Sequence, residues 1–423
     1  MAETLIVEGG PPLAGEVKVS GAKNAALPIM TATLLASSEC ELNDIPQLKD
    51  VRHLADILKS LGAEVQFKGS GQVYVDPRGV DTGEVPDGLV KKLRGSYYLW
   101  GVLLARRGWA RSYLPGGCQI GKRPIDLHLK GFRALGAEID IRDQVLEVRA
   151  KRLQGARIYM DYPSVGATIN IMLAASLAEG ETVIENAAKE PEIVDVANFL
   201  TIMGARVRGS GTDIIKIQGV KELHGAEHRI IPDRIEAGTF LLAAAITGGD
   251  VYVNNVLSEH LKSVISKLKE MGMIIEEAIS GIHISANGSI KAADIKTLPY
   301  PGFPTDLQAQ GMALLTQTSN CSRIIETVWE DRFNHVDQLQ KMGAQIRLED
   351  SGVVINPGPL KGARVRATDL RAGAALIIAG LVASGRTEIT DLYHIKRGYE
   401  GIHNKLKSLG ARIELREKED NPR

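Results

Sequence analysis

The stretch Ser60-Leu61-Gly62-Ala63-Glu64-Val65 decides the fold, because the chain contains six versions of it. Its glycine recurs at positions 62, 136, 204, 272, 343 and 410, at intervals of 74, 68, 68, 71 and 67 residues. Six repeats of about 70 residues account for nearly all of the chain, and a long period of this kind indicates an architecture assembled from one structural unit.

An amphipathic helix precedes each copy of the motif, and a strand follows it. Between Val51 and Leu61 the apolar residues stand at positions 51, 54, 57, 58 and 61, which is one helical face. The glycine that follows suits the left-handed conformation in which helices commonly end. Further upstream lie segments that are apolar nearly all round, at 169–178, 239–246 and 372–382. Short helices of that type are predicted to be buried in a core.

These patterns predict an α/β protein of two pseudo-symmetric domains, since 423 residues are many for a single core. Each domain would hold three repeats, with the apolar helices inside and the amphipathic helices and sheets outside. Alternating stretches such as 146–149 and 215–217 fit strands with one face in water.

The composition excludes several classes of function. Lys plus Arg total 51, and Asp plus Glu also total 51. The chain therefore lacks the excess of basic residues that is typical of a nucleic-acid-binding protein. Cys40, Cys118 and Cys321 lack the spacing of metal ligands and indicate free thiols in a reducing compartment. No signal peptide is evident, and the apolar runs are too short for a membrane span. We therefore expect a cytoplasmic protein without membrane insertion.

A glycine-rich loop around Cys118 is the first candidate for chemistry. Residues 114–126 contain three glycines and two prolines, which exclude a regular helix or a central strand. Lys122 and Arg123 follow the thiol, and nearby cations lower the pKa of a cysteine. A surface loop with an incidental cysteine is the alternative. Free cysteines are more often buried, however, so we expect a reactive lid.

The loop resembles the active-site loop of a known family. Pro115-Gly116-Gly117-Cys118, followed by Gly121-x-Arg123-Pro124-x-Asp126-Leu127, is similar to the loop of the enolpyruvyl transferases that act on UDP-N-acetylglucosamine. The resemblance extends from Gly21-Ala22-Lys23-Asn24 to Arg397-Gly398-Tyr399, which is nearly the whole chain.

The resemblance implies a fold and domain boundaries. Each domain would be an inside-out α/β barrel, one formed by residues 23–231 and the other by residues 1–22 and 232–423. The N-terminal strands, expected at 5–7 and 16–19, would close the last repeat. The ligand site would lie in the cleft between the domains.

The implied reaction transfers the enolpyruvyl group of phosphoenolpyruvate to the 3-hydroxyl of UDP-N-acetylglucosamine and releases phosphate, the first committed step of peptidoglycan synthesis. Cys118 would be the general acid and the thiol that the epoxide fosfomycin alkylates, and Asp306 would be the base. Lys23, Arg123 and Arg397 would bind the anionic groups of phosphoenolpyruvate. No metal or organic cofactor is implied, and the oligomeric state stays open.

Charged residues at the starts of the apolar helices support an anion site without the resemblance. Lys23-Asn24, Arg94 and Arg371 occupy equivalent places in three repeats, and Arg332 and Arg397 stand before amphipathic helices. Arg binds phosphate and carboxylate bidentately. Taken singly, each of these cations has an alternative interpretation as a solvated or salt-bridged side chain. Asp306, which precedes another apolar helix, has an alternative interpretation as a helix N-cap.

The complete substrate-binding set that we predict is Lys23, Asn24, Arg94, Arg123, Pro124, Ile125, Asp126, Leu127, Ser164, Val165, Gly166, Asp306, Val328, Arg332, Arg371 and Arg397. The chain departs from the family pattern at Tyr162, where some members have Lys, and we leave Tyr162 outside the set.

Two alternatives stay open. The shikimate branch of the same family makes 5-enolpyruvylshikimate 3-phosphate, but it lacks the loop of Cys118. A non-catalytic repeat scaffold is the other alternative, although it would not need charged residues at equivalent helix starts.

Overall fold

The computed structural model describes residues 3–69, 71–91, 93–114, 125–330, 332–350 and 352–417. Its contacts divide these residues into two compact units. Unit I contains residues 21–114 and 125–231, and unit II contains residues 3–20 and 232–417.

Helices and strands alternate along both units. The helices are α1 (Lys23–Ala32), α2 (Lys49–Ser60), α3 (Asp87–Val90), α4 (Tyr98–Arg107), α5 (Asp126–Ala134), α6 (Val165–Ala175), α7 (Pro191–Ile202), α8 (Arg234–Thr247), α9 (Lys262–Glu270), α10 (Gln308–Leu315), α11 (Val336–Lys341), α12 (Leu370–Gly380) and α13 (Ile402–Ser408). Short 3₁₀ helices span Thr33–Leu35, Arg94–Tyr97, Ser258–Leu261, Thr305–Leu307 and Ile395–Arg397.

The strands are short, as expected for small sheets. They are β1 (Glu3–Glu8), β2 (Ala14–Lys18), β3 (Cys40–Asn43), β4 (Glu64–Lys68), β5 (Gln72–Asp76), β6 (Trp109–Tyr113), β7 (Glu138–Arg142), β8 (Val145–Arg149), β9 (Arg157–Tyr159), β10 (Glu181–Glu185), β11 (Arg206–Arg208), β12 (Ile214–Gln218), β13 (Glu227–Arg229), β14 (Asp250–Asn254), β15 (Ile274–Glu277), β16 (Gly281–Ser285), β17 (Ile295–Lys296), β18 (Ser322–Ile325), β19 (Gln345–Glu349), β20 (Gly352–Asn356), β21 (Arg364–Arg366), β22 (Arg386–Thr390) and β23 (Arg412–Glu417).

The helices predicted to be apolar on every side form the cores. In unit I, α4 packs against α6, and in unit II, α10 packs against α12. Every residue of α10 is buried, and so are all residues of α12 except Leu370. Because these helices have no polar face to present to water, they lie inside while the sheets cover them. The helices also begin earlier than their apolar runs, so that α6 starts at Val165 and not at residue 169.

Three sheets surround the core of each unit. Their strand orders are β13-β3-β5-β4, β6-β8-β7 and β11-β12-β10-β9 in unit I, and β15-β16-β14-β2, β17-β18-β20-β19 and β21-β22-β1-β23 in unit II. Strands such as β8 and β12 alternate between buried and less buried residues, as predicted for sheets with one wet face. Within the described residues each sheet keeps two open edges, so no sheet closes on itself.

The N-terminal strands differ in part from the prediction. Strand β1 lies between β22 and β23, and so completes the sheet of the last repeat as expected. The expectation that the second strand does the same is wrong, because β2 pairs in parallel with β14 of the fourth repeat. Alternation marks a strand but does not identify its partner, since β2 and β14 are more than 200 residues apart in the chain and share no turn.

The six motif glycines all have positive φ, between 89° and 104°, which confirms the predicted left-handed helix ends. Their surroundings nevertheless differ. A Cβ at position 62 would collide with the carbonyl oxygen of Gly79, whereas a Cβ at position 136 would find open space. Both glycines lie in unit I.

We expect Gly136→Ala to lower the free energy of unfolding by about 1–2 kcal/mol, the cost of a left-handed alanine. Gly62→Ala pays the same backbone cost and adds the collision with Gly79, so its thermal unfolding midpoint should be the lower of the two. Differential scanning calorimetry of both variants beside the wild type measures this order. Equal midpoints would contradict the packing role of Gly62.

Candidate active site

Asp306 lies between two arginines in unit II. Arg332 donates from Nη1 to Asp306 Oδ1 over 2.8 Å, and Arg371 donates from Nη2 to Asp306 Oδ2 over 2.7 Å. The side chains of Arg332 and Arg371 are 5% and 6% exposed, while 27% of the Asp306 side chain still reaches solvent. The structure therefore brings together three residues that the sequence placed far apart.

The two arginines determine the charge of Asp306. Removal from water alone would raise the pKa of this carboxyl group, but Arg371 and Arg332 outweigh that effect and hold its pKa well below the usual range. Burial would lower the pKa of Arg371, and Asp306 reverses this so that the pKa of the guanidinium is raised. At neutral pH the group is one anion held by two cations.

Asp306 is not a helix cap, so the alternative interpretation of this residue is wrong. It lies within the 3₁₀ helix Thr305–Leu307, which begins without a capping side-chain hydrogen bond. The helix starts in unit II that do use capping side chains are those of α8 and α12, where Asp233 and Asp369 accept from backbone N–H groups. Asp306 is thus available for partners outside its own helix.

A second layer of polar residues supports this cluster, and the sequence analysis missed it. Tyr399 OH lies 2.9 Å from Thr239 Oγ1 and accepts from Gln310 Nε2 over 3.0 Å. The Arg371 guanidinium lies 5.6 Å from the centre of the Tyr399 ring. Burial raises the pKa of Tyr399, which keeps this hydroxyl neutral. The layer joins α8, α10 and α12. Because its residues come from distant parts of the chain, no local spacing in the sequence predicts it.

Glu326 supports the cluster through Thr305. Its Oε2 accepts from Thr305 Oγ1 over 2.9 Å, and Thr305 Oγ1 in turn accepts from Arg332 Nη1 over 3.0 Å. Its Oε1 accepts from the backbone N–H of Val328 over 2.8 Å. Val328, whose side chain is half-buried, thereby enters the same hydrogen-bonded network as Asp306.

Arg397 and His335 are two further buried residues of unit II. Arg397 ends the 3₁₀ helix Ile395–Arg397, is buried, and has its guanidinium 5.9 Å from the centre of the Tyr393 ring. His335 is also buried, and desolvation lowers its pKa to about 4 despite the opposing effect of Asp369. This histidine is therefore neutral at physiological pH.

In unit I, the first helix of the core begins with a cation. Lys23 is the first residue of α1, and this start has no capping side chain and no acidic residue in its first turn. Lys23 Nζ lies 3.6 Å from Asp50 Oδ2, and Asn24 beside it is half-buried. A cation at a helix N-terminus opposes the helix dipole, so an additional anion there is favoured.

Arg94 stands at the equivalent start of α4, beside a buried polar junction. Asn170 Nδ2 lies 3.0 Å from His128 Nδ1 and donates to the backbone oxygen of Tyr97 over 2.8 Å. Burial, assisted by the charge of Arg94, lowers the pKa of His128 to about 3, so this histidine is neutral. The junction ties α4, α5 and α6 together and fixes the helix start that carries Arg94.

The remaining predicted residues of unit I lie at the starts of α5 and α6. Ser164 caps α6 by accepting from the backbone N–H of Ala167, and Val165 and Gly166 form the first turn. Asp126 begins α5 and is exposed, with Ile125 before it and the buried Leu127 after it. Tyr162 OH donates to Asp126 Oδ1 over 3.3 Å, so the residue that departs from the family pattern contacts a predicted site residue.

Cys118, Arg123 and Pro124 lie outside the described residues, and so does the predicted lid. The expectation that ligands bind in a cleft between the domains stays a prediction. Within the described ranges no group of three or more His, Cys, Asp or Glu side chains is arranged to hold a metal ion. No helix of the described chain combines the length and the apolar composition that a membrane crossing requires.

Comparison with known proteins identifies relatives over nearly the whole length. The family model of EPSP synthase (3-phosphoshikimate 1-carboxyvinyltransferase) matches residues 7–406. The UDP-N-acetylglucosamine 1-carboxyvinyltransferase of Halothermothrix orenii is 62% identical over 408 residues, which cover 96% of this chain and 98% of that protein. The protein of the same name from Finegoldia magna is 54% identical over 422 residues, covering 99% and 100%.

Solved structures confirm the predicted fold class. The enolpyruvyl transferase NikO from Streptomyces tendae aligns with a TM-score of 0.89 at 25% identity, over 98% of this chain and 99% of that chain. An EPSP synthase from Acinetobacter baumannii aligns with a TM-score of 0.77 at 20% identity, over 99% and 100%, and this likeness concerns the fold alone.

We expect Asp306→Asn to lower the free energy of unfolding at pH 7 by about 3 kcal/mol, because it leaves two buried guanidinium groups uncompensated. The native pKa of Asp306 is depressed, so its stabilising effect is complete above the unfolded pKa of about 3.9 and is lost only as the pH falls through the native pKa. The difference in unfolding midpoint between wild type and variant should therefore stay constant from pH 8 to pH 5. A difference that shrinks across that range would contradict the depressed pKa.

Proposed function

The chain belongs to the EPSP synthase family of enolpyruvyl transferases, and from this premise we propose that it transfers the enolpyruvyl group of phosphoenolpyruvate to the 3-hydroxyl of UDP-N-acetylglucosamine and releases phosphate. The observation that carries the choice of acceptor is the high identity, over nearly the full length, to proteins named for that reaction. The arrangement of charges around Asp306 fits the acid–base chemistry of this reaction.

The proposed reaction is an addition followed by an elimination. Asp306 takes the proton of the sugar 3-hydroxyl as its oxygen bonds to C2 of phosphoenolpyruvate, and Cys118 protonates the methylene carbon. The Cys118 thiolate then takes a proton back from the new methyl group, the double bond re-forms, and the C–O bond to phosphate breaks with release of phosphate. Lys23, Arg123 and Arg397 bind the phosphate and carboxylate, and the other predicted residues position the nucleotide sugar.

The arginines around Asp306 explain how a carboxylate with so low a pKa serves as a base. While both guanidinium groups bind it, the carboxylate is ionised but weakly basic. Anionic groups of the substrates share the positive charge of Arg332 and Arg371, and this weaker net attraction raises the pKa of Asp306. The base would thus gain strength only when the anionic substrates are bound.

The proposal includes the cellular role. The product is the first committed intermediate of peptidoglycan, which connects the enzyme with cell-wall biogenesis, cell shape and cell division. We also propose a cytoplasmic location. Free thiols support it, because Cys40 and Cys321 form no disulfide in the described chain.

An assay of phosphate release separates the candidate functions. Purified protein with phosphoenolpyruvate should release phosphate when UDP-N-acetylglucosamine is added and should not do so with shikimate 3-phosphate. Phosphate release with shikimate 3-phosphate but not with UDP-N-acetylglucosamine would assign the chain to the shikimate branch. No release with either acceptor would favour the repeat scaffold.

We expect Lys23→Ala and Arg397→Ala each to lower kcat/KM for phosphoenolpyruvate by roughly 30-fold to several thousand-fold, because a charged hydrogen bond to a desolvated anion is worth about 2–5 kcal/mol. Steady-state kinetics at low phosphoenolpyruvate measure this effect. The exposed Lys68, whose Nζ lies 3.8 Å from the centre of the Tyr74 ring, provides the control Lys68→Ala. Rates like those of the control would remove the residue concerned from the anion site.

A further prediction separates the two proposed abilities of Cys118. As a proton donor it can be replaced by a carboxylic acid, but a carboxylate attacks an epoxide far more slowly than a thiolate does. Cys118→Asp should therefore keep measurable transfer and lose irreversible inactivation by fosfomycin, whereas Cys118→Ser should lose both. Time courses of inactivation measure this difference.

Two other thiols serve as internal controls for the same experiment. Cys40 is buried, and desolvation raises its pKa to about 11, so it should resist alkylation. Cys321 is exposed and tests simple accessibility. Mass spectrometry should place the fosfomycin adduct on Cys118 alone. An adduct on Cys321, or time-dependent inactivation of Cys118→Asp, would contradict the assignment.

A further inference from the structure

Glu326 is a buried carboxylate in unit II, with 4% of its surface exposed, and it has four hydrogen-bond donors around it. Oε1 accepts from Thr297 Oγ1 over 2.7 Å and from the backbone N–H groups of Val328 and Trp329 over 2.8 and 3.0 Å. Oε2 accepts from Thr305 Oγ1 over 2.9 Å. Burial of a carboxylate is costly unless it is satisfied in this way, and the proposed reaction does not use Glu326 directly.

Parallel strand pairing explains how Glu326 comes to this place. Strands β17 and β18 run in parallel, with Lys296 opposite Ile325. Thr297 and Glu326 each follow their strand directly, so they lie side by side at the same edge of the sheet. After β17 the chain continues through Thr305 into α10, and after β18 it continues to Arg332.

The direction of the hydrogen bonds is fixed by Glu326. A carboxylate only accepts, so the single hydroxyl hydrogen of Thr305 points to Glu326 Oε2. The lone pairs of Thr305 Oγ1 are then left to accept from Arg332 Nη1, over 3.0 Å. The same Arg332 nitrogen donates to Asp306 Oδ1 over 2.8 Å. The position of one arm of the Arg332 fork is thus determined by a carboxylate two hydrogen bonds away.

We infer that Glu326 is a positioning residue for the reaction: through Thr305 it orients Arg332 against Asp306, and through the backbone of Val328 it fixes a neighbouring part of the substrate site. The inference rests on the proposed function, and it assigns a role to two residues, Glu326 and Thr305, that lie outside the predicted site. Glu326 acts on Asp306 only through Thr305 and Arg332, so the part of its effect on turnover that depends on Asp306 should disappear when Thr305 cannot transmit it.

Glu326→Gln is the sharpest single variant, because it keeps the shape and reverses one hydrogen bond. The new amide oxygen can still accept from the two backbone N–H groups and from Thr297. Its NH₂ group then faces Thr305 Oγ1 as a donor, and the hydroxyl hydrogen loses its acceptor. Thr305 Oγ1 must then accept from both the amide and Arg332 Nη1 while its hydrogen turns away from residue 326, so the geometry that held Arg332 is lost. Displacement of a positioned group by about 1 Å costs up to about 100-fold in rate, so we expect kcat to fall by roughly 10- to 100-fold.

Variants of Thr305 test whether the effect passes through its hydroxyl. Thr305→Val has nearly the same shape without the hydroxyl and should lower kcat to a similar extent, whereas Thr305→Ser keeps the hydroxyl and should retain most of the activity. In the background of Thr305→Val, Glu326→Gln should cause little further loss, since coupled residues are not additive. The KM for phosphoenolpyruvate should change little in all of them, because the affected interaction belongs to the base.

Glu236 provides the matched control. It is another buried carboxylate of unit II, with 2% of its surface exposed, and it accepts from Lys405 Nζ over 2.6 Å and from the backbone N–H of Ser20 over 2.7 Å. Glu236→Gln should lower the thermal unfolding midpoint as Glu326→Gln does. Its kcat, measured well below that midpoint, should stay within about twofold of the wild type.

Three results would overturn the inference: a wild-type kcat for Glu326→Gln, losses that simply multiply in the double variant, or an equal fall in kcat for Glu236→Gln. Crystal structures of wild type and Glu326→Gln provide a readout independent of activity. We expect the distance from Arg332 Nη1 to Thr305 Oγ1 to be longer in the variant than in the wild type, and an unchanged distance would count against the role. A wild type without phosphate release would instead refute the proposed function, and the crystal structures would still decide the role of Glu326.

Discussion

The structure of unit II depends on the charge balance between Asp306 and the two guanidinium groups of Arg332 and Arg371. Neither arginine could remain so deeply buried alone, because an uncompensated charge away from water costs several kcal/mol. The carboxylate comes from the 3₁₀ helix just before α10, and the arginines come from the segment before α11 and from the first turn of α12. One electrostatic requirement therefore fixes how two core helices and an intervening loop approach one another.

The repeat places polar residues at equivalent helix starts within each unit. Lys23, Ser164 and Arg371 all stand in or beside the first turn of a core helix. The starts of α6, α8 and α12 have side-chain caps, whereas the start of α1 and the 3₁₀ helix Thr305–Leu307 have none. Asp306 lies at a start without a cap, and its side chain accepts from Arg332 and Arg371 instead of from a backbone N–H group.

The sequence predicted what depends on local periodicity and missed what depends on distant pairing. Helix faces and the six glycine ends follow from spacing within one repeat, and they were predicted correctly. The partner of β2, the contact of Asp306 with two arginines, and the supporting layer of Glu326 and Tyr399 were not. Each of these involves residues from different elements, and nothing in a neighbouring stretch of sequence records such a meeting. For Asp306, propensity favoured a cap, but tertiary electrostatics determined its partners.

The second layer of hydrogen-bonding residues contacts the arginines and not the carboxylate of Asp306, and there is a physical reason for this. A carboxylate between two forks has little freedom left, but a guanidinium can rotate to other acceptors when an anionic ligand arrives. Thr305 and Glu326 hold Arg332, and Tyr399 lies against Arg371. If these groups held the arginines loosely, an entering phosphate would draw the guanidinium groups away from Asp306. The carboxylate would then lose the two hydrogen bonds that orient it. Fixed arginines allow a bound anion to share their charge while Asp306 keeps its place, which is the condition for its pKa to rise without loss of geometry.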